Sequence, residues 1–160
     1  MNKAIFYKER IKIRRFYPLA IAVLAGFTAY ALLRIGRMYA FNGAASVWLA
    51  VLDRGDVLVD PLKYLPALVG AGLGLAQFLP EITQKRLKLT LHLPDSRRAM
   101  MLGMLGYGLV LLTVLFAVQL LAIGLYLRHL MAPELVHAVV STTLPWYAAG
   151  FAGYLFAAWI

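Results

Sequence analysis

The sequence contains no cysteine. That excludes disulfides, thiolate metal sites and cysteine nucleophiles, and it leaves the compartment unassigned by redox chemistry. Charge is scarce as well. Only 14% of the residues are Asp, Glu, Lys or Arg, and the acids number 7 against 16 Lys and Arg. A soluble domain is about a quarter charged. Chemistry-bearing motifs are absent too: there is no P-loop to cradle ATP phosphates, no HExxH, no GxSxG, and no carboxylate cluster at metal-ligand spacing. The chain is therefore expected not to be an enzyme and to hold no cofactor. Any ATP chemistry would have to come from a partner.

What the sequence has instead is apolar surface. Of 160 residues, 62% are hydrophobic. A soluble core of this size cannot absorb that much, so apolar side chains must face lipid as well as each other. The fold class expected is an all-α integral membrane protein. The net charge of +9 does not argue for nucleic acid, because no basic stretch belongs to a soluble fold. Basic residues of a membrane protein collect where they stay in the cytosol and meet anionic lipid.

Residues 1–15, MNKAIFYKERIKIRR, carry six cations and one anion. They read as an interfacial segment lying on the membrane. The apolar run that follows has no small-x-small cleavage site, so it is expected to remain as a first span, 16–35. Arg34 and Arg37 can snorkel to the far interface. Residues 36–63 are mixed, with Asp53, Asp56 and Asp60, and read as an extracytoplasmic loop carrying a short helix. The second span is 64–80, with Pro66 and Pro80 marking its ends. Gly70 and Gly74 within it form a GxxxG pair, a spacing that lets two helices approach closely in lipid. Residues 81–98 form a basic loop. The third span, 99–127, is longer than the ~20 residues a bilayer needs, so it should tilt or protrude. Residues 128–135 make a short connection in which Pro133 and Glu134 look like a helix start. The fourth span is 136–160, with Pro145 inside it. No charged residue flanks its end, YLFAAWI, which predicts a native chain that continues beyond Ile160.

Lys and Arg asymmetry orients these spans. With the N-terminus inside, residues 1–15 and 81–98 hold eleven of the sixteen basic residues. Arg34, Arg37, Arg54, Lys63 and Arg128 fall outside. The bias places the N-terminus and the basic loop in the cytosol.

Other polar residues are weighed against simpler roles. His129 and His137, with Met131 and Glu134, sit close together on the outer side, and soft ligands of this kind suit copper. Their spacing is irregular, and interfacial residues are the simpler reading. No metal site is expected. Met100, Met101 and Met104 read as packing residues, and Trp48, Trp146, Tyr147 and Trp159 as interface anchors or packing. The in-span polar groups are Thr28, Gln77, Thr113, Gln119, Ser141, Thr142 and Thr143. None is charged, which argues against an ion-driven carrier or a charge-selective pore. An apolar or amphipathic cargo, or energy supplied from outside the membrane, fits better.

The basic loop contains more than charge. Its residues KRLKLTLHLPDSRR alternate leucines, at Leu87, Leu89, Leu91 and Leu93, with polar positions. That suits a half-buried strand, while the preceding EITQKR suits a helix leaving the membrane. Either way an apolar face is left over, for the lipid interface or for another protein.

A basic N-terminal segment, a second span ending in PE, and KRLKLTLHLPDSRRAMML running straight into a long third span resemble the type-2 ABC exporter permeases. The positions that carry the resemblance are Glu81, Leu89, Leu91, Leu93, Pro94, Ser96, Arg97 and Arg98. The resemblance implies that residues 81–98 are a coupling element docked in a groove of a separate cytosolic ATPase. The leucines would fill that groove, and Lys85, Arg86, Lys88, Arg97 and Arg98 would set orientation. The N-terminal segment would be the family's interfacial elbow helix. It also implies six spans per subunit where four are visible here, pairing of two like or unlike permeases, and residence in the cytoplasmic (inner) membrane. The coupling motif departs from the family in having LKLTLH where a small residue is usual. The reading from a different class is a non-transporting membrane scaffold or assembly factor, anchored to anionic lipid by its basic loop.

Overall fold

A computed structural model describes residues 3–49, 59–83 and 97–159. Five α-helices and one 3-10 turn account for them, and no strand occurs among the described residues. Helix α1 is Lys3–Ile13, α2 is Phe16–Trp48, α3 is Leu65–Thr83, α4 is Arg97–Leu130 and α5 is Pro133–Trp159.

On α1, Glu9 and Ile13 are buried one turn apart, while Tyr7, Arg10 and Ile11 are exposed. The helix thus turns one face to the protein and sets cations and apolar groups on the other. After the turn at Arg14–Arg15, α2 buries a single stripe of Ala20, Leu24, Thr28, Ala31 and Ile35. That is the 3.6-residue period of one helix face. The rest of α2 is outward, including Leu19, Ile21, Val23, Phe27, Tyr30 and Leu33. Residues 36–42, expected to begin a loop, instead prolong α2. The interruption comes at Gly43, whose φ of 75° lies where only glycine is unstrained.

The 3-10 turn Asp60–Leu62 leads into α3. Pro66 lies in the first turn of α3, where a missing N–H costs nothing. The second proline does not end the helix as expected: α3 runs through Pro80 to Thr83. Proline removes one i→i−4 bond and crowds one carbonyl, and a helix end tolerates that better than its middle. Between α4 and α5 only Met131 and Ala132 are non-helical, so the two helices turn back on each other. Arg128 and His129 sit in the last turn of α4 and Glu134 in the first turn of α5, each complementing the helix dipole. Pro133 opens α5, and the Ala132 carbonyl accepts from the N–H groups of Leu135 and Val136. Helix α5 passes through Pro145 unbroken. The hydroxyls of Ser141, Thr142 and Thr143 just before it donate to carbonyls three residues back, at 2.7–2.8 Å.

The tightest seam joins α3 to α5. A Cβ at Gly70 would strike the Gly150 carbonyl, and one at Gly74 would come within 2.7 Å of the Ala157 Cβ and 2.9 Å of the Tyr154 carbonyl oxygen. Gly153 faces the Ala67 carbonyl in the same way. The two backbones are in contact because the side chains between them are hydrogen atoms. From α4, Phe116 closes the seam, stacking obliquely on Tyr147 at 5.0 Å and edge-on against Phe151 at 5.5 Å.

Two helices are long and apolar enough to cross a membrane, Phe16–Gly43 and Met101–Leu130. Only 22% and 33% of their most apolar stretches are buried inside the protein. The outward apolar surface that remains is far more than scattered surface hydrophobics account for. Leu65–Pro80 is a shorter apolar helix.

Candidate functional site

Of the loop residues singled out by the sequence, Glu81 lies in the last turn of α3, and Arg97 and Arg98 open α4. Lys85, Arg86, Lys88, Leu89, Leu91, Leu93, Pro94 and Ser96 fall outside the described residues. Gly70 and Gly74 lie on the α3–α5 seam. His129, Glu134 and His137 are exposed and Met131 is buried. Among the described residues no three His, Asp or Glu side chains gather to hold a metal ion.

The most distinctive polar feature lies elsewhere. Four helices meet at a buried chain of side chains running Lys12–Glu9–Gln77–Tyr154. Glu9, on α1, is fully buried. Its Oε1 accepts from Lys12 Nζ at 2.8 Å, one turn along the same helix. Its Oε2 accepts from Gln77 Nε2, on α3, at 2.9 Å. The Gln77 amide nitrogen gives its other hydrogen to the Met104 carbonyl of α4 at 2.7 Å. Gln77 Oε1 accepts from the Tyr154 hydroxyl of α5 at 2.9 Å. That hydroxyl also lies 3.2 Å from the Leu105 carbonyl, and its single proton favours the shorter contact.

Each part of the Gln77 amide is therefore in use, and its orientation is fixed by its neighbours. A carboxylate taken out of water needs this much compensation. The fit is tight as well as polar. A Cβ at Gly108 would run into the Tyr154 hydroxyl and come within 2.7 Å of Gln77 Oε1. Glycine there lets a phenol from α5 reach across α4 to the amide. Phe78 packs against the same phenol at 6.2 Å between ring centres.

The position of this cluster gives it meaning. Gln77 lies six residues before the end of α3 and Met104 seven after the start of α4. At 1.5 Å per residue each is only ~10 Å from the helix end. Those are the two ends between which the basic segment 84–96 connects. The cluster thus ties the N-terminal helix to the helices that carry that segment. It contains no nucleophile beside a base. Its hydrogen bonds join α1, α3, α4 and α5 to one another.

Sequence reasoning did not find it. Glu9 counts there only as the one anion among six cations, Gln77 as one of several in-span polar groups, and Tyr154 as part of an apolar tail. The usable signal was a lone acid on an otherwise basic segment, together with a lone amide in a glycine-rich span. Against these observations, no protein family, curated protein or solved structure matches the chain.

Proposed function

We propose that the chain is the transmembrane permease subunit of an ATP-driven exporter of the type-2 ABC class, working with a separate cytosolic ATPase. One observation carries the reading. The Glu9–Gln77–Tyr154 cluster fastens the N-terminal helix to the ends of α3 and α4 that hold the basic segment. A push delivered to residues 81–98 by a docked partner would reach four helices at once.

In this reading α2, α3, α4 and α5 all cross the bilayer of the cytoplasmic membrane, with the N-terminus in the cytosol. Helices α3 and α5 shield each other along a glycine seam, so each presents less surface to lipid. The cations of α1 and those of 81–98 then lie on one side, as the charge bias requires. Two such subunits, alike or different, would enclose the path.

The test is recovery of the ATPase encoded beside the gene with detergent-solubilised protein, wild type against Leu89→Asp/Leu91→Asp. Loss of the ATPase with unchanged membrane insertion is expected. Undiminished recovery, or no ATPase bound by either protein, would overturn the reading in favour of a scaffold held to anionic lipid by its basic loop.

A further inference from the structure

A second polar contact lies deep in the spanning region, between α2 and α4. Thr28 donates its hydroxyl proton to the Leu24 carbonyl at 2.6 Å. Its oxygen can then only accept, and it accepts from Gln119 Nε2 at 3.0 Å. Gln119 thus turns its amide nitrogen, not its oxygen, to Thr28. Its Oε1 is buried and has no hydrogen-bond partner in the protein. Gln119 as a whole is 6% exposed.

The same two residues are the polar part of the wall of a cleft of about 280 Å³. The rest of the wall is aliphatic, including Ile21, Leu24, Leu115 and Val118. Thr28 and Gln119 both lie well inside Phe16–Gly43 and Met101–Leu130, so the cleft opens toward lipid at depth.

We infer that this cleft is a binding site for a neutral membrane alcohol, a molecule with a slender apolar body and one hydroxyl that donates to Gln119 Oε1. Water fits poorly, since it needs two to four polar partners and apolar cavities stay dry. Thr28 has already committed its proton, and Gln119 offers one acceptor. A carboxylate or phosphate headgroup would bring acceptors to an acceptor, and no cation lines the cleft. An acyl tail would fill the volume but leave the oxygen unsatisfied, a loss that a donor recovers. The amide is held by Thr28 alone, so its oxygen can swing toward the cleft without breaking another bond. The site would bind its ligand whether or not the chain moves cargo.

The test uses the full chain in phosphatidylcholine vesicles with two photoreactive probes. One is a long-chain alcohol with a mid-chain diazirine, and the other is its methyl ether. The alcohol should label residues 21–32 and 115–122 roughly tenfold more than the ether, the ratio one recovered hydrogen bond gives. Gln119→Leu should erase the preference. Ala29→Phe, made at an exposed position lining the cleft, should block labelling by both probes with Gln119 intact. Equal labelling of the wild type by both probes would overturn the inference, as would a preference that survives Gln119→Leu. Because the chain has no cysteine, Val118→Cys gives a clean further readout. Disulfide-linked dimers in vesicles would mean that a second copy covers the cleft, and would also overturn it.

Discussion

A single carboxylate shows how much one residue can decide. Glu9 is buried and answers both Lys12 and Gln77. Removing one partner of a buried charged pair costs more than the pair itself contributes, about 3–5 kcal/mol in soluble proteins and less where the disrupted state is still in lipid. Glu9→Ala is therefore expected to lower the melting temperature in detergent strongly. Glu9→Gln keeps an acceptor for Gln77 and should cost less, so the order of the two variants in a thermal-shift assay checks the role. Equal effects would mean that a neutral acceptor cannot stand in for the carboxylate and that its charge is what Lys12 and Gln77 require. Gly108 makes a second prediction at the same scale. Gly108→Ala pushes a methyl group into the Tyr154 hydroxyl and Gln77 Oε1, an overpacking worth about 1–3 kcal/mol. In a Tyr154→Phe background the hydroxyl is gone, and the alanine should cost less. A double-mutant cycle should show coupling of roughly 1 kcal/mol, as for contacting residues, and additivity would refute the contact.

The elements obey composition more simply than the residues do. Apolar runs of sufficient length make helices α2 and α4, and a two-residue link brings α5 back along α4. What composition does not choose is which helices press closest. That is settled by hydrogen atoms on the α3–α5 seam. Gly70→Leu should force the two backbones apart, because a Cβ there already meets the Gly150 carbonyl. Gly26, Gly106 and Gly124 are also in helices, yet a Cβ at any of them meets nothing within 4 Å. Alanine at those three should be neutral or stabilising by up to about 1 kcal/mol, from helix propensity alone. Size-exclusion profiles after heating would separate the two classes of glycine. The same physics explains where the sequence reading of the elements erred. Pro80 and the mixed composition after residue 35 both signal an end to helix. Helix α3 nonetheless carries on to Thr83, and α2 continues until Gly43 takes up a positive φ. A breaker near a helix end subtracts one bond, and neighbouring packing can outweigh it.

At the scale of the whole molecule, the arrangement predicts sidedness. Helix α1 is tied to Gln77, which in turn bonds Met104 and Tyr154, so α1, the end of α3, the start of α4 and the end of α5 lie at one end of the bundle. The α4–α5 link at Met131–Ala132 lies at the other end of α4. Single cysteines at Arg14, Thr90 and Ala132 can test this without removing native thiols. An impermeant thiol reagent added to intact cells should label only position 132. Labelling of 14 or 90 from outside would reverse the orientation, and labelling of all three would exclude a crossing between them.

Much of this was written locally. The apolar excess, the scarcity of charge and the lengths of the apolar runs called for helices long and apolar enough to cross a membrane, since in lipid a backbone must satisfy its own hydrogen bonds. The uneven spread of Lys and Arg predicts a sidedness, again without reference to packing. Tertiary structure alone decided the joints. Glu9 meets Gln77 across 68 positions, and Gln77 meets Tyr154 across 77. Thr28 meets Gln119 across 91. No periodicity relates residues so far apart. Their pairing follows from which helix faces come together, and a buried polar group that finds no partner there is unsatisfied at a cost.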